Sequence, residues 1–278
     1  MKISIIIVVY NKHCNQIDSL KKIEKQLSFV HRVIVVDNSL PSFQSDNCSY
    51  LDKYSYVIYR AMSENVGLSK AYNLALSLLD SDEGYVLFLD DDTLIGDDFF
   101  EKTISILMSK RPVVLFPWVE DERGLLSPCL RRGIRFKRFR SRTQFLKQRP
   151  EDFSAINSGT VVKIDIQKSI RFDENLFLDY VDHLNVMRLI QSGHQIEISN
   201  IVIRQCFSDN MKDNPLQPDR FRYFIHDARS FCESINGIAL STEAFLLFRA
   251  VKLSLKNRSL AYLNIYCRSV FNDKAKTV

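Results

Sequence analysis

The chain has 278 residues, long enough to bury a full core, and its 46% hydrophobic and 26% charged content is that of an ordinary globular protein. A net charge of +5 is too mild to mark a nucleic-acid binder, and no run approaches the ~18 apolar residues of a membrane span. The six cysteines (14, 48, 129, 206, 232, 267) form neither C-x-x-C pairs nor Cys/His zinc spacings, which argues for free thiols in a reducing cytosol.

Residues 3–9 are a near-continuous β-branched run, the pattern of a strand covered on both faces. The run is too short for a secretion signal and lacks a small-residue cleavage site. Ile17, Leu20, Ile23 and Leu27 then recur at helical spacing. Strands follow over 33–36 and 57–60, and Leu68, Ala71, Tyr72, Ala75, Leu76 and Leu79 form a helical stripe. A strand over 85–89, a helix over 97–110 and a strand over 113–117 complete the first half. This β-α-β order predicts an α/β protein with an open, mostly parallel twisted sheet and helices on both faces. Beyond residue 117 the pattern loosens, then gives a strand over 159–163, a helix over 182–191 and a strand over 196–203. A polar, proline-bearing stretch over 210–218 reads as a hinge, and the remaining ~60 residues read as helical.

In such sheets ligands bind where the strands end. Three strands end in polar groups: Tyr10-Asn11, Asp37-Asn38 and Asp90-Asp91-Asp92-Thr93. A dinucleotide site of the G-x-G-x-x-G kind is excluded, because Tyr-Asn-Lys-His follows the first strand. Three adjacent carboxylates repel one another, so a shared divalent cation, completed by substrate phosphates, explains them. The plain alternative is a solvated acidic turn before a helix whose N-terminus favours Asp97 and Asp98.

With these features in place, the chain resembles glycosyltransferase family 2. Four segments carry the likeness in order: IIIVVYNK (5–12), VIVVDNS (33–39), ENVGLSKAYNLAL (64–76) and VLFLDDDT (86–93). A fifth, NSGTVV followed by FDENLFLDYVDHLNVMRLIQSGHQI (157–196), is similar to the bacterial rhamnosyltransferase branch. The resemblance implies a GT-A-type fold over residues 1–209, a helical extension over 210–278, and inverting transfer from a nucleotide-sugar. It places Val9, Tyr10 and Asn11 beside the base pocket and Asp37 on the N3–H of a uracil or thymine. Asn65 and Gly67 would shape a turn toward the nucleotide, with Lys70 and Asn73 beside it. Asp90 would lie near the donor's ribose, Asp91 would belong to the same donor site, and Asp92 would hold Mg²⁺ or Mn²⁺ at the diphosphate. Asp182 falls on the family's base position, a simple helix N-cap being its bland alternative. Asp179, Tyr180 and His183 would serve the acceptor side or its loop, with a structural role the alternative for His183.

The resemblance further implies a dTDP- or UDP-sugar donor and a saccharide or lipid-linked saccharide acceptor in bacterial surface polysaccharide synthesis. Rhamnose is the first choice of sugar, with galactofuranose or a hexose as alternatives. Two departures stand out. Leu184 and Asn185 occupy positions after the base where relatives often carry an acidic residue and an aromatic one, and Arg204-Gln205 replaces a metal-binding His. They motivate a second hypothesis, a weak or inactive nucleotide-sugar-binding homologue. A nucleotidyltransferase is a third, opposed by the absence of glycine in VVYNKHCNQ. Nine Lys/Arg between 131 and 149, interleaved with Phe136, Phe139 and Phe145, suit either a solvated loop or peripheral contact with an anionic membrane at the inner face of the plasma membrane. No nucleic-acid module is present. The run over 245–271 is expected to pack on the catalytic domain, a second membrane patch being the alternative.

Overall fold

The computed structural model describes residues 1–80, 84–145, 147, 152–206 and 217–274. Strands β1 (Ile3–Val9), β2 (Val30–Asp37), β3 (Val57–Ala61) and β4 (Tyr85–Asp90) lie parallel in the order β3-β2-β1-β4. The sheet continues through β11 (Val161–Lys163), β6 (Val114–Asp121), β12 (Ile196–Gln205) and the two-residue β5 (Thr93–Leu94). Strand β11 runs antiparallel to both its neighbours, whereas β6 and β12 are parallel. β7 (Gly124–Ser127) pairs β6 as a hairpin.

Alternation along each strand feeds two cores. Ile6, Ile34, Val36, Phe88 and Phe116 face α3 (Leu68–Ser77) and α7 (Val181–Gln191). Ile5, Ile7, Val33, Val35 and Leu87 face α1 (Asp18–Glu24) and α4 (Phe99–Lys110). Both faces being covered explains why β1 reads as continuous Ile and Val. Helix α2 (Pro41–Leu51) has no counterpart in the sequence reading: it buries only Asn47 and Leu51, so no apolar stripe marks it. The short α6 (Ile164–Ile170) is a second unforeseen element.

The basic segment is not a loop. Strands β8 (Cys129–Arg132) and β9 (Arg135–Arg138) form a hairpin, and β10 (Phe153–Ser154) joins β8 to make a three-stranded sheet. Its aromatics turn inward, Phe136 by strand alternation and Phe139 and Phe145 from the chain after β9. Phe136 stacks on His183 at 3.4 Å between ring centres, Phe139 is buried, and Phe145, in α5 (Arg142–Phe145), meets Trp118, Phe139 and Phe153. The rings that suggested membrane contact are therefore spent on the protein's own core. Of the stretch 131–149, residues 146, 148 and 149 lie outside the described residues, as do 207–216, which hold most of the expected hinge and the expected domain boundary.

Three helices follow, α8 (Pro218–Ser234), α9 (Ala239–Lys256) and α10 (Ala261–Lys274). Helix α9 buries Leu246 and Ala250 against the body, while Phe248 and Leu255 stay exposed. The run thus packs on one face and leaves an apolar stripe on the other. Among the described residues no helix is long and apolar enough to cross a membrane.

Candidate active site

Register brings the chemistry together. Val9 pairs Asp37 and Val8 pairs Asp90, so the ends of β1, β2 and β4 share one edge. Strand β5, just past the acidic triplet, pairs Thr93 with Gln205 and so delivers the end of β12 to the same place. Gln205 Nε2 donates to Asp90 Oδ2 and to Asp92 Oδ1, both at 3.0 Å. Asp91 turns away and accepts from Lys12 Nζ at 3.4 Å. Thr93 Oγ1 accepts the Asp90 N–H at 3.1 Å and bonds Ser158 Oγ at 2.7 Å, pinning the turn.

The triplet therefore divides into a facing pair and one carboxylate held by a lysine. Burial, then the nearby Asp90 charge, pushes the Asp92 carboxyl up to about 7. Asp90 is raised by burial and by the Asp182 charge. Asp91 is raised by burial, against the pull of Lys12.

Asp182 lies in the first turn of α7, where the helix dipole favours an anion. Its Oδ2 accepts the Asn157 N–H at 3.1 Å, and its Oδ1 is buried without a hydrogen-bond partner. Burial raises its carboxyl above the ordinary range. The Asn157-Ser158 turn thus bridges the two halves, one residue on Asp182 and the next on Thr93. Asp182 is no mere N-cap: Tyr180, left-handed at φ 66°, occupies the cap, and no side chain caps the helix.

At the β1/β2 end, Tyr10 is 54% exposed on the crevice. Asn11, at φ 50°, donates its N–H to Ser39 Oγ (2.7 Å) and accepts from the Leu40 N–H (3.1 Å). Asp37 is 0% exposed. Its Oδ1 accepts the Ser39 N–H at 2.9 Å, and its Oδ2 accepts from Asn47 Nδ2 at 2.8 Å and Tyr59 Oη at 2.9 Å. The carboxylate is the hub of this strand end rather than a surface group.

The third motif departs further from its expected role. Gly67, at φ +84°, does permit a close approach, but to the protein: an added Cβ would lie 2.6 Å from the Phe177 carbonyl oxygen, which also accepts the Leu68 N–H. Asn65 Oδ1 accepts the Gly67 N–H at 3.1 Å. Lys70 is exposed, whereas Asn73 is buried and clips Phe172, donating to its carbonyl at 2.9 Å and accepting its N–H at 3.0 Å. Its other amide hydrogen goes to Glu174. Asn73 is thus a structural clip, and the two side chains do not share one face.

Asp179 is held by both Arg220 nitrogens, at 2.7 and 3.2 Å, and burial still raises its carboxyl. His183 Nδ1 bonds Ser154 Oγ at 2.8 Å, and burial lowers its pKa to about 3, so the ring is neutral at physiological pH. Sequence reasoning missed Lys12, Asn157, Tyr59, Arg220 and Asp227. Only Lys12 and Asn157 fell inside quoted motifs, and partners 22 to 79 residues away leave no local signal.

A divalent cation suits this donor set. Asp90 and Asp92 face each other across a single amide, and the buried Gln205 Oε1 has no partner. Among the described residues no group of three or more His, Cys, Asp or Glu side chains is disposed to enclose an ion. An ion here would complete its shell with substrate phosphate and water, as Mg²⁺ usually does.

The curled, mostly parallel sheet with an acidic edge defines a GT-A-type α/β protein. The chain matches the description of glycosyl transferase family 2 over residues 4–167, and it belongs to that family. It is 24% identical over 199 residues to the dTDP-rhamnosyl transferase RfbF of Shigella flexneri, covering 69% of this chain and 64% of that one. It is 26% identical over 180 residues to the minor teichoic acid biosynthesis protein GgaB of Bacillus subtilis (strain 168), covering 62% and 19%. The alignments thus span less than two thirds of these curated relatives. Among solved structures, S. aureus TarS 1-349 in complex with UDP-GlcNAc superposes with a TM-score of 0.56 at 16% identity, covering 87% of this chain and 70% of that one. GalNAc-T7 with UDP, GalNAc and Mn²⁺ gives 0.60 at 11% identity, covering 99% and 57%.

Proposed function

We propose that this chain is an inverting glycosyltransferase that moves a sugar from a dTDP- or UDP-sugar to a saccharide acceptor, free or lipid-linked. The observation that carries the reading is Asp182 Oδ1, a buried carboxylate oxygen with no hydrogen-bond partner, on a side chain whose charge is felt by Asp90 of the acidic strand end. Asp182 takes the proton of the acceptor hydroxyl as its oxygen attacks the anomeric carbon. The bond from that carbon to the nucleoside diphosphate breaks on the opposite face, and the electron pair leaves with the diphosphate. Mg²⁺ or Mn²⁺ held by Asp92 and Asp90 would neutralise charge on that leaving group. Asn157 orients Asp182, and Ser158 and Thr93 hold Asp90 in place.

Tyr10 and Asn11 border the base. Asp37 Oδ1 keeps a lone pair for a pyrimidine N3–H, but the carboxylate is 0% exposed, so a covering group must move for the base to reach it. Rhamnose as the sugar is supported by the named activity of RfbF, and UDP by the TarS complexes, so galactofuranose and hexoses remain in the panel. We assign residues 1–209 to the catalytic unit and 210–278 to a helical extension. Peripheral membrane contact would rest on the exposed cations of the segment, Arg132, Arg135, Lys137, Arg140, Arg142 and Lys147 among the described residues.

Thermal-shift titration with UDP, dTDP, GDP and CDP, each with Mn²⁺ or EDTA, tests the donor site. A metal-dependent rise with UDP or dTDP only is expected, and no rise with any nucleotide sinks the reading. Gln205 supports one competing reading, a donor-binding protein without turnover, because its amide satisfies both carboxylates. On the enzyme reading, Gln205→His replaces an N–H donor with a nitrogen lone pair suited to a metal. Apparent Mn²⁺ affinity should rise about tenfold, roughly 1.4 kcal/mol, in a titration followed by electron paramagnetic resonance. An unchanged affinity removes residue 205 from the metal's surroundings.

A further inference from the structure

A cavity of about 400 Å³ opens between β9, the start of α7, and helices α8 and α9, and Tyr180 and His183, which flank Asp182 in the chain, line it. Arg135, Phe136, Tyr180, His183, Phe245 and Arg249 line it, with Asp179 and Phe224. Its walls are aromatic, and Phe136 stacks on His183 while Tyr180 stacks near Phe231. Its charge balance is uneven. The carboxylate lining it, Asp179, is held in a fork by Arg220. Arg249 has its guanidinium carbon 4.1 Å from the Phe224 ring centre and its buried Nε without a partner. Arg135 lies 5.1 Å over Phe245 and likewise forms no ion pair among the described residues. Three guanidinium groups, Arg135, Arg220 and Arg249, therefore share one lining carboxylate, Asp179, which also acts on Arg249 across space, so the apolar cleft keeps an excess of positive charge.

We propose that this cleft is an acceptor subsite for a saccharide bearing an oxyanion, phosphate or carboxylate, held by Arg249 and Arg135 while its ring lies on the aromatic wall. The inference rests on the glycosyltransferase reading, since it presents the acceptor's hydroxyl to Asp182. A planar guanidinium matches both oxyanions in bidentate fashion, and its prior stacking on a ring leaves fewer rotamers to order on binding. Neutral His183 can exchange a hydrogen bond with a sugar hydroxyl through Nε2, because Nδ1 is engaged by Ser154. The extension helices thus select the acceptor, while the β1/β2/β4 edge selects the donor.

Saturation-transfer NMR on the full chain, with a hexose 6-phosphate, a hexuronate and a neutral hexose as probes, tests this with and without UDP and Mn²⁺. At least one anionic probe should bind tenfold or more tightly than the neutral one, and whichever binds tighter identifies the oxyanion. Arg249→Gln should bring the anionic probe to the level of the neutral sugar and leave the UDP-induced thermal shift unchanged. Arg249→Lys should recover part of the preference. Arg135 is exposed, so Arg135→Gln serves as a variant safe for folding and should weaken the same probe at least threefold. Equal binding of charged and neutral sugars, insensitivity to both glutamine variants, or displacement of the anionic probe by UDP overturns the subsite. Loss of the UDP shift in the unmodified chain counts instead against the glycosyltransferase reading, and the titrations without nucleotide still judge the cleft.

Discussion

Replacing Asp182 with Asn is expected to slow sugar transfer by about 10²–10⁴-fold while leaving nucleotide binding intact. The substitution keeps an oxygen to accept the Asn157 N–H, so the start of α7 need not move. What it removes is the basic Oδ1, the atom with no partner in the resting site. A rate measured with saturating donor and acceptor, beside a UDP thermal shift, separates the two roles. Full activity in the variant would falsify the base assignment.

The same variant carries a stability signature with a definite sign. Burial holds the Asp182 carboxyl above the usual carboxylate range in the folded chain. Between the unfolded and folded pKa values the native state binds more protons than the unfolded one. Stability therefore falls as pH rises through that window, and the penalty persists above it. Asp182→Asn lacks the penalty, so without added metal it should melt higher than the parent at pH 7 and equally near pH ~3. A parent that melts higher at pH 7 contradicts the sign. The catalytic pH profile follows from the same shift: the acid limb of kcat/KM should lie above the range of an ordinary carboxylate, because the base must be ionised to act.

Much of this site could be read along the chain because strand ends announce themselves. Val9-Tyr10-Asn11, Asp37-Asn38 and Asp90-Asp91-Asp92 each follow a buried run, and parallel pairing in register then places them side by side. Gln205 could be flagged but not placed: a two-residue strand, β5, carries it to the carboxylates across 113 and 115 residues of sequence. Phe136, Phe139 and Phe145 misled in the opposite direction. Rings interleaved with arginines suit a membrane surface, but strand alternation turns Phe136 inward, and the chain beyond β9 brings Phe139 and Phe145 together with Trp118 and Phe153. Asn73 fails for a related reason, since an amide at helical spacing carries no mark of the strand end or loop that will claim it. Asp227 gave no functional signal at all, yet it organises the loop on which the acceptor side stands.

Asp227→Ala is expected to be the most destabilising single change near the site, costing about 3–5 kcal/mol. Asp227 is 0% exposed and accepts three consecutive backbone N–H groups, from Phe177 at 2.9 Å and from Leu178 and Asp179 at 2.8 Å. A fully buried N–H left without an acceptor costs about 1–3 kcal/mol, and in this part-buried loop the exposed Leu178 contributes least. The loop cannot simply turn outward, because the Phe177 carbonyl caps α3 through Leu68 and the Gly67 backbone sits against it. Asp227→Asn keeps one acceptor oxygen and should lose roughly half as much. Urea unfolding measures both variants through the midpoint at constant m. A loss below about 1 kcal/mol for the alanine variant would show that the 177–179 loop finds other partners. Because Asp179, Tyr180 and Asp182 all follow from this loop, the asparagine variant should also lose transfer activity at temperatures where it remains folded.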